Sequence, residues 1–131
     1  MNPNILRVGA WNVRSLKGRG RLENLKREMD RLDLDIVGIS EVRWEEEGDF
    51  WSGDYRVINT KANHGQAGVG FVMNRKIGQR VSYYEQVSER IVVVKIDTKP
   101  KPTTIVQVYM PTSSADDEVV EEVYEKIGDI L

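Results

Sequence analysis

The chain contains 131 residues, enough for one domain or part of one, and no apolar run approaches the roughly 18 residues of a membrane span. Apolar residues make up 40% and charged residues 31%, a composition typical of a folded globular protein and not of a disordered one. Cysteine is absent, which excludes disulfides and thiolate metal sites. The first residues lack the basic and then apolar order of a signal peptide, and we expect an intracellular protein.

The net charge of −2 conceals an uneven distribution of charge. Residues 17–31 hold six basic and three acidic residues, and residues 61–101 hold eight basic and three acidic residues. Residues 116–129, in contrast, hold seven acidic residues and one lysine. A body of this kind could present a positive face to phosphates, although an evenly solvated surface explains the same counts equally well.

The first third of the chain predicts a β-α-β unit. Residues 6–13 form the first predicted strand, and a polar connection containing glycine follows at residues 14–20. Residues 21–32 predict a helix, because apolar side chains recur on one stripe at Leu22, Leu25, Met29 and Leu32. Residues 35–40 contain the unbroken run Ile36, Val37, Gly38 and Ile39 and predict a buried strand. Strands joined this closely through a helix usually lie parallel.

The rest of the chain predicts a run of strands and a closing helix. We predict polar loops at 45–53 and 60–67, and strands at 55–59, 69–73, 81–85, 91–96 and 104–110. The connections between the later strands are too short for helical crossovers, so these strands should pair antiparallel. The closing helix would start at Ser113 or Ser114 as its N-cap and carry an acidic first turn. The order predicts an α/β layered domain with a mixed sheet.

Two polar residues follow the two predicted parallel strands where each strand ends. Asn12 ends the first strand, and Glu41 comes directly after the second. Parallel strands end at the same edge of a sheet, and ligand crevices in α/β sheets lie outside these carboxyl ends. A carboxylate and an amide at one edge could hold a hard cation such as Mg²⁺. On spacing alone, however, a polar residue at a strand end is more often a turn or cap residue.

Three motifs in order carry a more specific signal: AWNVRSL at 10–16, LDIVGISEVRW at 34–44 and IVQVYMPTS at 105–113. They resemble the endonuclease/exonuclease/phosphatase superfamily, in particular apurinic/apyrimidinic endonucleases and the endonuclease domains of RTE- and LINE-type retrotransposons, with the craniofacial development protein 2-like family derived from them. The resemblance covers nearly the whole chain. It implies the DNase I-like four-layered fold, a two-sheet β-sandwich flanked by helices, of which residues 1–131 would be the N-terminal half.

The resemblance also implies an Mg²⁺- or Mn²⁺-dependent DNA endonuclease. By the matching motifs, Asn12 would be the active-site asparagine, Glu41 the glutamate that binds the metal, and Tyr109 the tyrosine that contacts the scissile phosphate region. DNA as the partner leads us to expect a nuclear protein, and the resemblance leaves the oligomeric state open.

Three arginines are candidate phosphate contacts. Arg90 lies where relatives often carry an arginine, with a structural or a phosphate-contacting role. Arg14 and Arg43 lie within the first two motifs and could contact the DNA backbone, although an exposed salt bridge explains Arg43 equally well. Thr112 departs from the asparagine that the family often carries there, which could weaken a hydrogen bond to substrate.

The resemblance also indicates what this sequence lacks. The family's water-activating base, further metal ligands and catalytic histidine belong to second-half motifs of the GDFN or GDWN and SDH types. We interpret the GDIL at 128–131 as the end of the acidic helix, and His64 as a solvated loop residue. We therefore expect this chain alone to be inactive and either marginally folded or self-associating.

Two rival hypotheses remain beside the endonuclease. The chain could be a domesticated, non-catalytic interaction or folding module, which would need neither Asn12 nor Glu41. A phosphoinositide phosphatase is the third option, and we rank it below the others because the RSLK and LENLKREM segments fit the retrotransposon branch better.

Overall fold

The computed structural model describes residues 5–63, 67–110 and 117–130. Within these ranges the helices are α1 (Arg21–Leu32), α2 (Arg75–Gly78) and α3 (Asp117–Ile130). The strands are β1 (Val8–Asn12), β2 (Ile36–Ser40), β3 (Gly48–Ser52), β4 (Tyr55–Asn59), β5 (Val69–Asn74), β6 (Val81–Ser88), β7 (Ile91–Ile96) and β8 (Thr103–Val108).

The strands form two sheets. The first has five strands in the order β1-β2-β5-β4-β3, and the second has three in the order β6-β7-β8. β1 pairs with β2 in parallel, with Val8 opposite Ile36, and every other neighbouring pair is antiparallel. The predicted parallel β-α-β unit, the antiparallel later strands and the mixed α/β class are thereby confirmed.

The two sheets stack face to face around an apolar core. Buried side chains of β2, β4 and β5 meet those of β7 in one cluster that includes Ile36, Ile58, Phe71, Met73, Val92, Val94 and Ile96. β8 lies beneath β2, because a Cβ added to Gly38 would collide with the side chain of Gln107. β6 lies beneath β4, where Gln86 Nε2 donates to Asn59 O at 3.1 Å. β1 therefore lies at the side of the sandwich where the second sheet ends with β8.

α1 covers the outer face of the first sheet. Its Leu25 and Met29 are buried against a second cluster that contains Val37 and Ile39 of β2. The helix ends where Asp33 takes a left-handed conformation with φ 55°. No helix of the described ranges is long and apolar enough to cross a membrane.

The prediction of a polar loop at 45–53 was wrong for its second half. Residues 48–52 form β3, which makes a hairpin with β4 through Gly53 at φ 60°. β3 is the edge strand of its sheet, and Phe50 and Trp51 are both exposed, so no buried apolar alternation marks it in the sequence.

The other boundaries differ by a few residues. α2 replaces part of a predicted connection, and it starts where the Asn74 side chain accepts a hydrogen bond from Ile77 N at 2.9 Å. β8 ends at Val108, which places Tyr109 directly after the strand. The predicted N-cap serines, Thr112 and His64 lie outside the described residues.

An ion pair on the β3–β4 hairpin joins three parts of the fold. Arg56 donates two hydrogen bonds of 2.8 Å to the Asp49 carboxylate, and a third of 2.8 Å to the backbone oxygen of Gly78 in α2. Its guanidinium also lies 5.8 Å from the ring centroid of Tyr84 in the second sheet. The hydrogen bonds from Arg56 are the main cause that lowers the pKa of Asp49 below its ordinary value.

We predict that Asp49→Asn lowers the free energy of unfolding by about 1–3 kcal/mol near neutral pH, because it removes a bidentate bond to a charged partner. Because the folded-state pKa of Asp49 is lowered, its ionised carboxylate stabilises the fold at pH values above the ordinary pKa of 3.8. This stabilisation is lost as the pH falls through the folded-state pKa. The difference between wild type and Asp49→Asn in urea unfolding should therefore shrink in acid.

Asp54→Asn is the matched control, because Asp54 pairs with Arg75 while both side chains are mostly exposed, at 79% and 62%. It should change stability by less than about 0.5 kcal/mol. Equal losses in the two variants, or a difference that grows in acid, would contradict the prediction.

Candidate active site

The loops that follow β1 and β2 run side by side beyond the ends of the strands. Three backbone hydrogen bonds continue the parallel pairing: Val13 N to Ser40 O at 3.0 Å, Ser15 N to Glu41 O at 2.6 Å and Leu16 N to Val42 O at 2.9 Å. The side chains of both loops are consequently held at one edge of the sheet.

The loop after β2 is also fixed on its other side. Val42 is fully buried, and its backbone N donates to Gly68 O at 3.0 Å, while Arg43 N donates to Ala67 O at 2.9 Å. Gly68 has φ 98°, and a Cβ there would lie 3.2 Å from Arg43 N. Any other residue here would strain the backbone, and its Cβ would press on the loop of Arg43.

The two loops concentrate unusual backbone conformations. Of the five described non-glycine residues with positive φ, four lie here: Arg14, Ser15, Glu41 and Arg43. Each such residue costs about 1–3 kcal/mol and persists only where the surroundings hold it, a pattern that clusters at functional sites. The sequence contains no glycine at these four positions, so nothing in it indicated the left-handed conformations.

The side chains of Asn12, Glu41 and Arg43 meet in one hydrogen-bonded cluster. The two carboxylate oxygens of Glu41 accept from different donors: Oε2 from Asn12 Nδ2, and Oε1 from Arg43 Nη2 at 2.9 Å. Arg14 joins through its backbone N, which donates to Asn12 Oδ1 at 3.1 Å and orients the amide so that Nδ2 faces Glu41. The Glu41 side chain is 16% exposed, so the carboxylate is shielded yet accessible from solvent.

Tyr109 and Arg90 form a second cluster at the same end of the sandwich. Tyr109 N donates to Arg90 O at 2.8 Å, Arg90 Nη1 donates to Tyr109 O at 3.3 Å, and the guanidinium lies 5.2 Å from the tyrosine ring centroid. A bond of 2.9 Å from Gly68 N to Glu89 O links this end of the second sheet to the loop of Glu41. Within the described residues, no side-chain hydrogen bond joins Tyr109 to Asn12 or Glu41.

A groove of about 450 Å³ adjoins Asn12, between β1 and α1. Trp11, which is 40% exposed, contributes to its wall together with Arg19 and Arg21. Both arginines belong to the basic stretch at residues 17–31, whose charge pattern does not indicate a place beside Asn12. A larger groove of about 760 Å³, between β6–β8 and α3, contains none of the predicted site residues.

Residues 9–126 match the model of the endonuclease/exonuclease/phosphatase family. The chain belongs to this family. It is 32% identical over 125 residues to craniofacial development protein 2 from Bos taurus and 31% identical over 125 residues to the protein of that name from Tragulus javanicus. Both alignments cover 95% of this chain but only 21% and 22% of the relatives, so the chain spans about a fifth of their length.

Solved structures with this fold include two apurinic/apyrimidinic endonucleases. The one from Leishmania major has a TM-score of 0.65 at 13% identity, over 90% of this chain and 44% of its own. The one from Archaeoglobus fulgidus has a TM-score of 0.60 at 18% identity, over 96% and 49%. The endonuclease domain of TRAS1, a telomere-specific non-LTR retrotransposon, has a TM-score of 0.57 at 20% identity, over 95% and 54%. These likenesses confirm the DNase I-like fold that the motifs implied for this member of the endonuclease/exonuclease/phosphatase family.

We predict that Gly68→Ala lowers the free energy of unfolding by about 1–3 kcal/mol and displaces the loop of Glu41 and Arg43, because the added Cβ presses on Arg43 N. The backbone amide NMR signals of these two residues should shift, and unfolding in urea should give the stability.

Gly20→Ala is the matched control. Gly20 has φ 80° and no atom within 4 Å of an added Cβ, so its variant carries the conformational cost without the contact. Its stability should fall by about 1 kcal/mol while the signals of Glu41 and Arg43 stay in place. Equal displacement of those signals in both variants would contradict the role given to Gly68.

Proposed function

We propose that this chain is part of an Mg²⁺- or Mn²⁺-dependent DNA endonuclease of the apurinic/apyrimidinic and retrotransposon type, acting in the nucleus. The observation that carries the proposal is the carboxylate of Glu41, held by Asn12 and Arg43 at the carboxyl edge of two parallel strands. Family membership and the fold shared with three endonuclease structures support it.

The donor chemistry fits a hard divalent cation with Glu41 as one ligand. Mg²⁺ is commonly bound through one or two carboxylates, with water and substrate phosphate completing its shell. Within the described ranges no cluster of three histidine, cysteine, aspartate or glutamate side chains could hold a metal ion. Glu41 would therefore be one ligand of such an ion, with the others supplied by water, substrate phosphate or the second-half motifs that the resemblance implies. When bound, such an ion acts as a Lewis acid that stabilises charge on a phosphoryl oxygen.

The remaining residues would act on the phosphodiester directly. The Asn12 amide, fixed by Arg14 N, can donate a hydrogen bond to a phosphoryl oxygen or orient Glu41. The Tyr109 hydroxyl would contact the phosphate region, while Arg90 holds the tyrosine in place by stacking over its ring. Arg14 is a further candidate contact to the DNA backbone, since its chain neighbours Val13 and Ser15 line the groove together with Arg19 and Arg21.

We further propose that residues 1–131 form the N-terminal half of the domain. Among the described residues β1 pairs only with β2 and β8 only with β7, so both sheets present an open edge on the same side of the sandwich. Val8 on β1 is 50% exposed and Trp11 is 40% exposed. The matched solved chains are about twice as long as the part that this chain covers. Further strands along β1 and β8 would cover these edges and supply the group that activates water.

If these edges lack their partners, the isolated chain should self-associate through β1. We expect its mean mass in sedimentation velocity to rise with concentration, and Val8→Lys to suppress the rise because a charge on an edge strand opposes pairing. Tyr124→Lys is the control, since Tyr124 lies on α3, outside both sheets, and is 62% exposed. A chain that stays monomeric at all concentrations, or equal suppression by both variants, would count against the open edge.

The endonuclease proposal is tested by nicking of supercoiled plasmid with Mg²⁺, using the longest protein product in which this chain occurs. Glu41→Gln should lower kcat/KM by about 100-fold or more, because it weakens both the metal ligand and the position of Asn12. Glu45→Gln, at an 83% exposed side chain paired only weakly with Lys17, should stay within about twofold. The isolated chain should show no nicking above background.

A second candidate is a non-catalytic interaction module. The observation in its favour is the open edge of β1, which is a ready surface for strand pairing with another chain. In that case Glu41→Gln and Glu45→Gln would give the same result in the nicking assay, and Val8→Lys would impair function instead. Metal-dependent nicking that requires Glu41 would exclude the module as the sole role.

A further inference from the structure

The side chains of Arg43 and Glu41, which form an ion pair, are both largely shielded from solvent. The distance from Arg43 Nη2 to Glu41 Oε1 is 2.9 Å, and the two side chains are 29% and 16% exposed. Shielded ion pairs are screened less by water and salt than exposed ones. The guanidinium is therefore a strong local competitor for any other cation that approaches the same carboxylate.

The fold holds Arg43 in this position at a cost. Both Glu41 and Arg43 have positive φ, and their loop is fixed by hydrogen bonds from Val42 N to Gly68 O and from Arg43 N to Ala67 O. Arg43 Nε is buried without a hydrogen-bond partner among the described residues. Because this N–H contributes no hydrogen bond, the contact with Glu41 is the main polar contact of the Arg43 guanidinium.

We infer that Arg43 is a resident counter-ion of Glu41, which neutralises the carboxylate in the metal-free protein and must leave it when a divalent cation binds. The inference rests on the proposed metal role of Glu41. A cation on the same oxygen would lie beside the guanidinium, and like charges at that separation repel. Arg43 is thus a positioning residue that sets the metal affinity of the site. Once released, its fork of N–H donors is free to bind a phosphate oxygen.

The test measures metal binding directly and not activity. The longest protein product in which this chain occurs is ¹⁵N-labelled and titrated with Mn²⁺, and paramagnetic broadening of the Asn12 and Glu41 amide signals reports site-specific affinity. In Arg43→Gln, which removes the charge and retains an N–H donor to Glu41, we expect Mn²⁺ to bind roughly three- to tenfold more tightly. Arg43→Lys, which keeps the charge, should stay within about twofold of wild type.

Arg14→Gln removes a charge near Asn12 without touching the Glu41 carboxylate, and it controls for the general field of the protein. It should tighten binding by less than about twofold. Thermal unfolding of each variant shows whether the loop still folds, and Glu41→Gln should abolish the broadening at residues 12 and 41.

The outcomes separate the inference from the proposed function. Broadening at residues 12 and 41 with the same or lower affinity in Arg43→Gln overturns the counter-ion role and leaves the metal role of Glu41 intact. Equal tightening in Arg14→Gln and Arg43→Gln also overturns it, because a distant field would then explain the effect. Broadening at neither residue in any variant overturns both the inference and the metal part of the proposed function.

Discussion

The parallel pairing of β1 and β2, continued by three hydrogen bonds beyond the strand ends, is the constraint on which the site depends. Asn12 and Glu41 are 29 residues apart in the chain, and without this pairing nothing would hold their side chains together. With it, the amide and the carboxylate are held at one edge. The buried Val42 and the close approach of Gly68 keep the second loop from relaxing.

The site shows how a fold can maintain an arrangement that is unfavourable locally. Four left-handed residues and a buried guanidinium N–H without a partner would each destabilise an isolated loop. Backbone hydrogen bonds on both sides of residues 41–43, together with the Arg43–Glu41 ion pair, offset these costs. The result is a carboxylate that is oriented in advance and charge-balanced, at an edge where a phosphate can approach.

The sequence predicted those features that depend on periodicity and strand order. α1 and β4 were predicted at their observed bounds, and β1 and β2 were predicted parallel, because their apolar patterns are strong. β3 was missed since an exposed edge strand has no buried alternation. At the site, strand order placed Asn12 and Glu41 at one edge. The Glu41–Arg43 contact, however, depends on left-handed backbone conformations at two residues that are not glycine, and no residue pattern predicts them. The roles implied by the family resemblance stay proposals.

Crystals of the protein grown with Mn²⁺ offer the most direct test, because manganese scatters anomalously. The account predicts an anomalous difference peak about 2.1 Å from a carboxylate oxygen of Glu41, with the Arg43 guanidinium moved away from that carboxylate. Two results would contradict this account. One is an anomalous peak at other residues only. The other is the absence of a peak at Glu41 in crystals saturated with Mn²⁺, with Arg43 still bonded to its carboxylate.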